Sequence, residues 1–148
     1  MALPRRFPSG SAAAQRDEAM PHLQFDLNFA PSPEQKGRFA QAVLRGFAEI
    51  MDTGTDPIAM TLRTCPREDL LFGRSRDGRA VILNADVRYG RSTEQKRRVA
   101  LKIMEEVERF FGLPRRNVYV VLTEHEGESF QLSDEVPTWR PGENPLED

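Results

Sequence analysis

The sequence predicts an α+β fold: two tandem β-α-β units that form one four-stranded mixed sheet with both helices on one face. Three observations predict it. The first is a repeat at an offset of 60 residues, in which Ser32–Ala40 returns as Ser92–Ala100 with six identities in nine. The apolar positions keep that offset: Leu23, Leu27 and Phe29 recur as Leu83, Val87 and Tyr89, and Ile58, Met60 and Leu62 as Val118, Val120 and Leu122. A fixed offset over three elements marks two copies of one supersecondary unit. The second is the apolar period, which runs from two to a helical spacing and back to two within each copy. The third is a Ser-x-x-Gln capping box at the head of each helical stretch, Ser32/Gln35 and Ser92/Gln95.

The elements follow in order. Residues 1–20 are rich in Pro, Gly, Ser and Ala without periodicity and read as a flexible extension. From Pro21, the apolar Leu23, Phe25, Leu27 and Phe29 alternate with His22, Gln24, Asp26 and Asn28, the pattern of a strand buried on one face. Pro33 suits the first position of a helix capped by Ser32. Phe39, Val43, Phe47 and Ile50 then make one stripe of a helix running to about Met51. Gly54 and Pro57 end it, and Ile58, Met60 and Leu62 form a second alternating strand.

Residues 65–79 interrupt the repeat, with Leu70-Leu71-Phe72 as a short strand or plug and Gly73–Gly78 as a hairpin turn. Val81–Tyr89 is the third strand, and Ser92–Phe111 the second capped helix, stopped by Gly112-Leu113-Pro114. Asn117–Thr123 is the fourth strand, with a short extra strand expected around Phe130. Residues 133–148, with three prolines and five acids, read as a loose tail. The folded domain is therefore expected over 21–132, with repeat units at about 21–63 and 81–123. A helical crossover makes the two strands of each unit parallel. A pseudo-twofold axis relating the units makes the central strands antiparallel. With strands one and three central, Pro21 falls beside Arg88-Tyr89-Gly90-Arg91.

Composition bounds the function. The 148 residues carry 21 basic and 23 acidic side chains, a net charge of −2, so no strong field points to nucleic acid or an anionic membrane. The middle strands lack the interleaved aromatics that stack RNA bases. The single cysteine, Cys65, forms no internal disulfide, which makes a reducing cytoplasm the expected compartment. No apolar run approaches the roughly 18 residues of a membrane span. His22 and His125 have no metal-ligand partners at useful spacing, and no cofactor motif is present. Lys96, Arg97, Arg98, Arg115 and Arg116 read as solvated surface.

Met20-Pro21 at the head of a strand, the tandem β-α-β repeat and Arg88-Tyr89-Gly90-Arg91-Ser92 entering the second helix together resemble the tautomerase superfamily. Phe25-Asp26-Leu27 and Glu94-Gln95-Lys96 resemble its long-chain malonate semialdehyde decarboxylase members; cis-3-chloroacrylic acid dehalogenase is the other long-chain relative. The resemblance covers about Pro21–Leu132 and implies a homotrimer acting on a small keto or enol carboxylate without a cofactor. It also implies a tautomerase, or a decarboxylase or hydratase of a small oxo acid. Pro21 is then the amino-terminal acid/base group, Asp56 a second catalytic residue, Arg88 and Arg91 the carboxylate clamp, and Phe130 a substrate-binding aromatic. Phe47 and Val121 stand where the dehalogenase has its helix histidine and strand-four tyrosine, which argues against dehalogenation.

The chemistry of these residues is general. A terminal amine has a reference pKa of ~8, lowered by nearby cations and burial and raised by carboxylates. A secondary amine near neutrality can shuttle a proton between carbon and oxygen of an enol. Guanidinium forks grip a carboxylate at two points and orient it for proton transfer. None of this works while residue 20 remains joined to Pro21, because an amide nitrogen is not basic. The Met20-Pro21 pair leads us to expect a mature chain beginning at Pro21. If the extension is retained, the expectation becomes a catalytically silent protein of the same trimeric fold, with Pro21 merely opening a strand.

Overall fold

The computed structural model describes residues 21–132; the expected extension (1–20) and tail (133–148) lie outside the described residues. Its elements, in chain order, are β1 (His22–Leu27), α1 (Pro33–Met51), β2 (Ala59–Thr64), β3 (Val81–Arg88), α2 (Thr93–Phe111) and β4 (Val118–His125). Short 3₁₀ turns occupy Arg67–Asp69, Arg115–Asn117 and Gly127–Ser129. The strands form one mixed sheet in the order β2-β1-β3-β4. β1 runs parallel to β2 and β3 parallel to β4, while the central pair β1–β3 is antiparallel. This is the architecture the repeat predicts.

Both helices lie on one face of the sheet. Leu23, Phe25 and Leu27 of β1 and Val81, Leu83, Ala85 and Val87 of β3 meet Phe39, Val43 and Phe47 of α1 and Val99, Ile103 and Val107 of α2 in one buried cluster. At ~25 cal/mol per Å² of apolar surface removed from water, this layer is the main stabilising term. Phe39 sits at its centre, edge-on to Phe25 at 5.1 Å and tilted against Phe111 at 4.7 Å between ring centroids. The other face carries the alternate residues His22, Gln24, Asp26, Ile82, Asn84 and Asp86, largely polar.

The pseudo-twofold axis is visible in single bonds. Both capping boxes form as expected, Ser32 with Gln35 and Ser92 with Gln95. Each capping glutamine also reaches across to the far end of the other helix: Gln35 Nε2 donates to the Phe110 carbonyl (3.2 Å) and Gln95 Nε2 to the Ile50 carbonyl (3.1 Å). The helices are therefore antiparallel, and each amino-terminal box satisfies one orphan carbonyl of its partner. Gly46 faces the other helix, and a Cβ there would stand 3.0 Å from Cε of the flexible Lys102 side chain.

Two expectations are corrected. Leu70-Leu71-Phe72 is neither strand nor plug. The chain makes a 3₁₀ turn at Arg67–Asp69, Leu71 is 94% exposed, and Gly73–Gly78 turns without flanking strands. Nor is there a strand at Phe130, where the 3₁₀ turn Gly127–Ser129 leads to a lone bridge residue, Leu132. In both places the apolar residues are too few to bury a face, so the segments pack by single side chains instead.

Candidate functional site

The site is read from one end of the sheet. His22 pairs with Asp86 across the central strands, so the next residues outward, Pro21 and Val87, face each other. The Ala59 amide donates to the Pro21 carbonyl (3.1 Å), extending the β1–β2 ladder to Pro21. By alternation Pro21 shares the helix-side face with Leu23 and is buried like it. Val87 pairs in turn with Glu124 of β4. Pro21, Val87 and Glu124 thus make one row across three strands, and Lys96 of α2 reaches Glu124 Oε1 at 3.1 Å.

The arginines stand at the same end. Arg88 ends β3, pairs in register with His125 and is 0% exposed. The chain then turns through Gly90, whose φ of 121° is one that only glycine adopts without strain, and delivers Arg91 just ahead of the Ser92 cap. Arg91 is buried, and its Nε donates to the Met51 carbonyl at 2.8 Å, in the last turn of α1. A cation is favoured there by the carbonyls that end a helix. Arg91 thereby draws together the end of α1 and the start of α2.

Asp56 lies in the α1–β2 connection at this end and is exposed, beside buried Pro57. Phe130, half-buried, stands edge-on to His125 at 5.7 Å, on the face away from the helices. The five candidate residues therefore gather at one end of the sheet, Pro21 on the helix side and Phe130 on the other.

Sequence reasoning missed several neighbours. His125 Nε2 lies 2.8 Å from Asp86 Oδ1, and His22 Nε2 lies 2.9 Å from Thr61 Oγ1, placing a polar row beside the candidate site. Strand parity was the available signal, since His22, Asp86 and His125 all fall on the open-face phase. Lys96 is not simply solvated, being paired with Glu124. Among the described residues no group of three or more His, Cys, Asp and Glu could hold a metal ion.

The opposite end of the sheet is closed. There the repeat partner of Arg88 is Asn28, 2% exposed. Its Nδ2 donates to the carbonyls of Leu70 (3.0 Å) and Gly78 (2.9 Å), and its Oδ1 accepts from the Ala80 amide (2.7 Å). Asn117 pins the same loop, accepting from the Arg76 amide and donating to Asp77 Oδ1. Arg79 beside Asp77 holds that carboxyl at a pKa of about 2. The 65–80 insertion thus seals one end and leaves the Pro21 end distinct.

Residues 60–132, which hold the second repeat unit and the last strand of the first, match the family model described as Tautomerase enzyme. Over these residues the chain is similar to the tautomerase family. Several solved structures carry the same fold. A malonate semialdehyde decarboxylase, FG41, is 23% identical, with a TM-score of 0.68 over 75% of this chain and 88% of its own. A fused 4-OT, solved as a symmetric trimer, is 17% identical, with a TM-score of 0.70 over 78% and 94%. A macrophage migration inhibitory factor-like protein from Entamoeba histolytica is 17% identical, with a TM-score of 0.67 over 77% and 96%. At these identities the structural likeness shows the fold. No curated protein sequence matches the chain. No helix among the described residues is long and apolar enough to cross a membrane.

Proposed function

We propose that residues 21–132 form a tautomerase-type enzyme acting on a small keto or enol carboxylate, with Pro21 as its acid/base group. One observation carries this reading: the antiparallel pairing of β1 and β3 brings Pro21 to the end of the sheet that carries Arg88 and Arg91. The substrate carboxylate meets Arg88 and the Nη groups of Arg91, whose Nε is held by Met51. Held there, its enolisable carbon faces the Pro21 nitrogen. As a free secondary amine the nitrogen takes a proton from carbon and returns it to the other end of the enol system. Two cations nearby favour its neutral form. Asp56 serves as a proton or water relay, and Phe130 as an apolar wall. Decarboxylation or hydration of a small oxo acid uses the same residues, with a protonated Pro21 polarising the carbonyl. The trimeric fused 4-OT supports assembly as a homotrimer.

Intact mass and amino-terminal sequencing of the native protein, with an enol–ketone absorbance assay, test the reading. We expect a mature chain beginning at Pro21, and a Pro21→Ala loss of turnover of about a hundredfold or more, the usual range for removing an acid/base group. Undiminished turnover in Pro21→Ala overturns the role of Pro21. The second reading, a catalytically silent member of the same fold, is favoured by the twenty residues that precede Pro21 in this sequence. A retained extension with no turnover establishes it.

A further inference from the structure

The row that carries Pro21 ends on an ion pair. By register, Pro21, Val87 and Glu124 lie side by side on the helix face of the sheet. Lys96 Nζ of α2 stands 3.1 Å from Glu124 Oε1. Both side chains of the pair are partly withdrawn from water, Lys96 at 28% and Glu124 at 24% exposure. Val87, between Pro21 and Glu124, is fully buried. Two strand spacings put Glu124 about 10 Å from Pro21. Across a buried apolar side chain, a charge at that distance is poorly screened.

The repeat sets this pair apart. Under the 60-residue offset the same row becomes Val81, Leu27 and Thr64, at the closed end of the sheet. Lys36, the counterpart of Lys96, therefore has an uncharged threonine in the place of Glu124. Of the two rows, only the one that holds Pro21 carries an acid. A lone carboxylate there favours a protonated Pro21 nitrogen, and a lone cation disfavours it. Further charged groups at this end are Asp52 and Asp56 after α1, Arg88 and Arg91 around the turn, and Glu128 beyond β4. His22, Asp86 and His125 lie on the far face. None of these changes when the pair is altered, so the effect of the pair can be read by itself.

We propose that Lys96 is a positioning residue for the Pro21 amine: by pairing Glu124 it offsets a carboxylate charge that otherwise holds the proton on the nitrogen. The inference rests on the proposed function, in which Pro21 is a free secondary amine. It adds the device that keeps that amine available as a base although an acid stands in its own row.

Two titrations of the native protein test it: the pH profile of kcat/KM in the enol–ketone assay, and the ¹⁵N shift of Pro21 in protein labelled with [¹⁵N]proline. Lys96→Met should move the Pro21 inflection up by about half a pH unit or more, the effect of one uncompensated charge at this distance. Glu124→Gln, which leaves Lys96 alone, should move it down by a similar amount. The double variant should return close to the wild type, and Lys96→Arg, which keeps the pair, should hold the inflection in place. Loss of a merely structural contact lowers the melting temperature in both single variants without opposite shifts. Each single variant is decisive by itself, so one that fails to fold leaves the other as the test. Inflections that stay put, or that move in the same direction in both, overturn the inference alone. Opposite ¹⁵N shifts in a protein without turnover support it and overturn the proposed activity. A native chain whose intact mass includes the extension overturns both, because Pro21 then has no amine to tune.

Discussion

Asp52 and Gly112 occupy the same place in the two repeats, the residue that ends each helix, and both adopt the left-handed conformation, with φ of 56° and 73°. Glycine takes it without steric cost, whereas an aspartate pays for its Cβ and sets a negative charge against the carbonyls that end the helix. Asp52→Gly, which copies the second repeat into the first, should therefore raise stability by about 1 kcal/mol. Urea unfolding reads the change directly. Asp77 gives a second prediction. Its carboxyl is held at about 2 by Arg79, so the folded chain binds this proton less tightly than the unfolded one. The stability it contributes is complete above the ordinary carboxyl pKa and is lost as pH falls from there towards 2. Asp77→Asn should flatten this part of the acid limb in melts taken between about pH 4 and 2, while leaving the neutral-pH fold intact.

At the scale of elements, the two capping glutamines do double work. Each accepts from the backbone of its own cap and donates to the end of the opposite helix. Gln35→Ala and Gln95→Ala should each cost about 1–2 kcal/mol, as two modest hydrogen bonds would. The double variant should be additive, because the two sites lie at opposite ends of an antiparallel helix pair. Chemical denaturation of the four proteins in this cycle checks it, and marked non-additivity would mean that the helices shift together. The capping boxes themselves were legible in Ser32/Gln35 and Ser92/Gln95, because a cap depends on residues three apart. The crossing bonds to Phe110 and Ile50 were not. They join residues 75 and 45 apart in the chain, and only helix packing brings those groups together.

At the scale of the molecule, duplication built a symmetric scaffold and substitution broke the symmetry at its ends. Arg88 and Asn28 are repeat partners, yet Asn28 fastens the 65–80 loop while Arg88 stands beside Pro21. Arg91 has Pro31 as its counterpart, and its bond to Met51 has no equivalent in the other half. Removing it should therefore show in two measurements. Arg91→Ala is expected to lower stability by about 1–2 kcal/mol and, under the proposed function, to raise KM about tenfold or more, as loss of a charged carboxylate contact does. Arg91→Lys should recover part of the stability through its charge but little of the KM, because an ammonium lacks the fork. Melting curves and steady-state kinetics separate the two effects.

The order and kind of the main elements, the helix caps, the antiparallel centre of the sheet and the gathering of Pro21, Arg88 and Arg91 at one end are all legible along the chain. Those follow from periodicity, from residues three or four apart, and from a repeat that fixes symmetry. Tertiary structure decided the rest. It left Leu71 exposed where a plug was expected, set Phe130 on a turn against His125, joined His125 to Asp86 and Lys96 to Glu124, and closed the Asn28 end. Each of these depends on side chains meeting across distant parts of the chain, where local pattern carries no instruction. The packing of two nearly equal halves selects which polar groups must find partners.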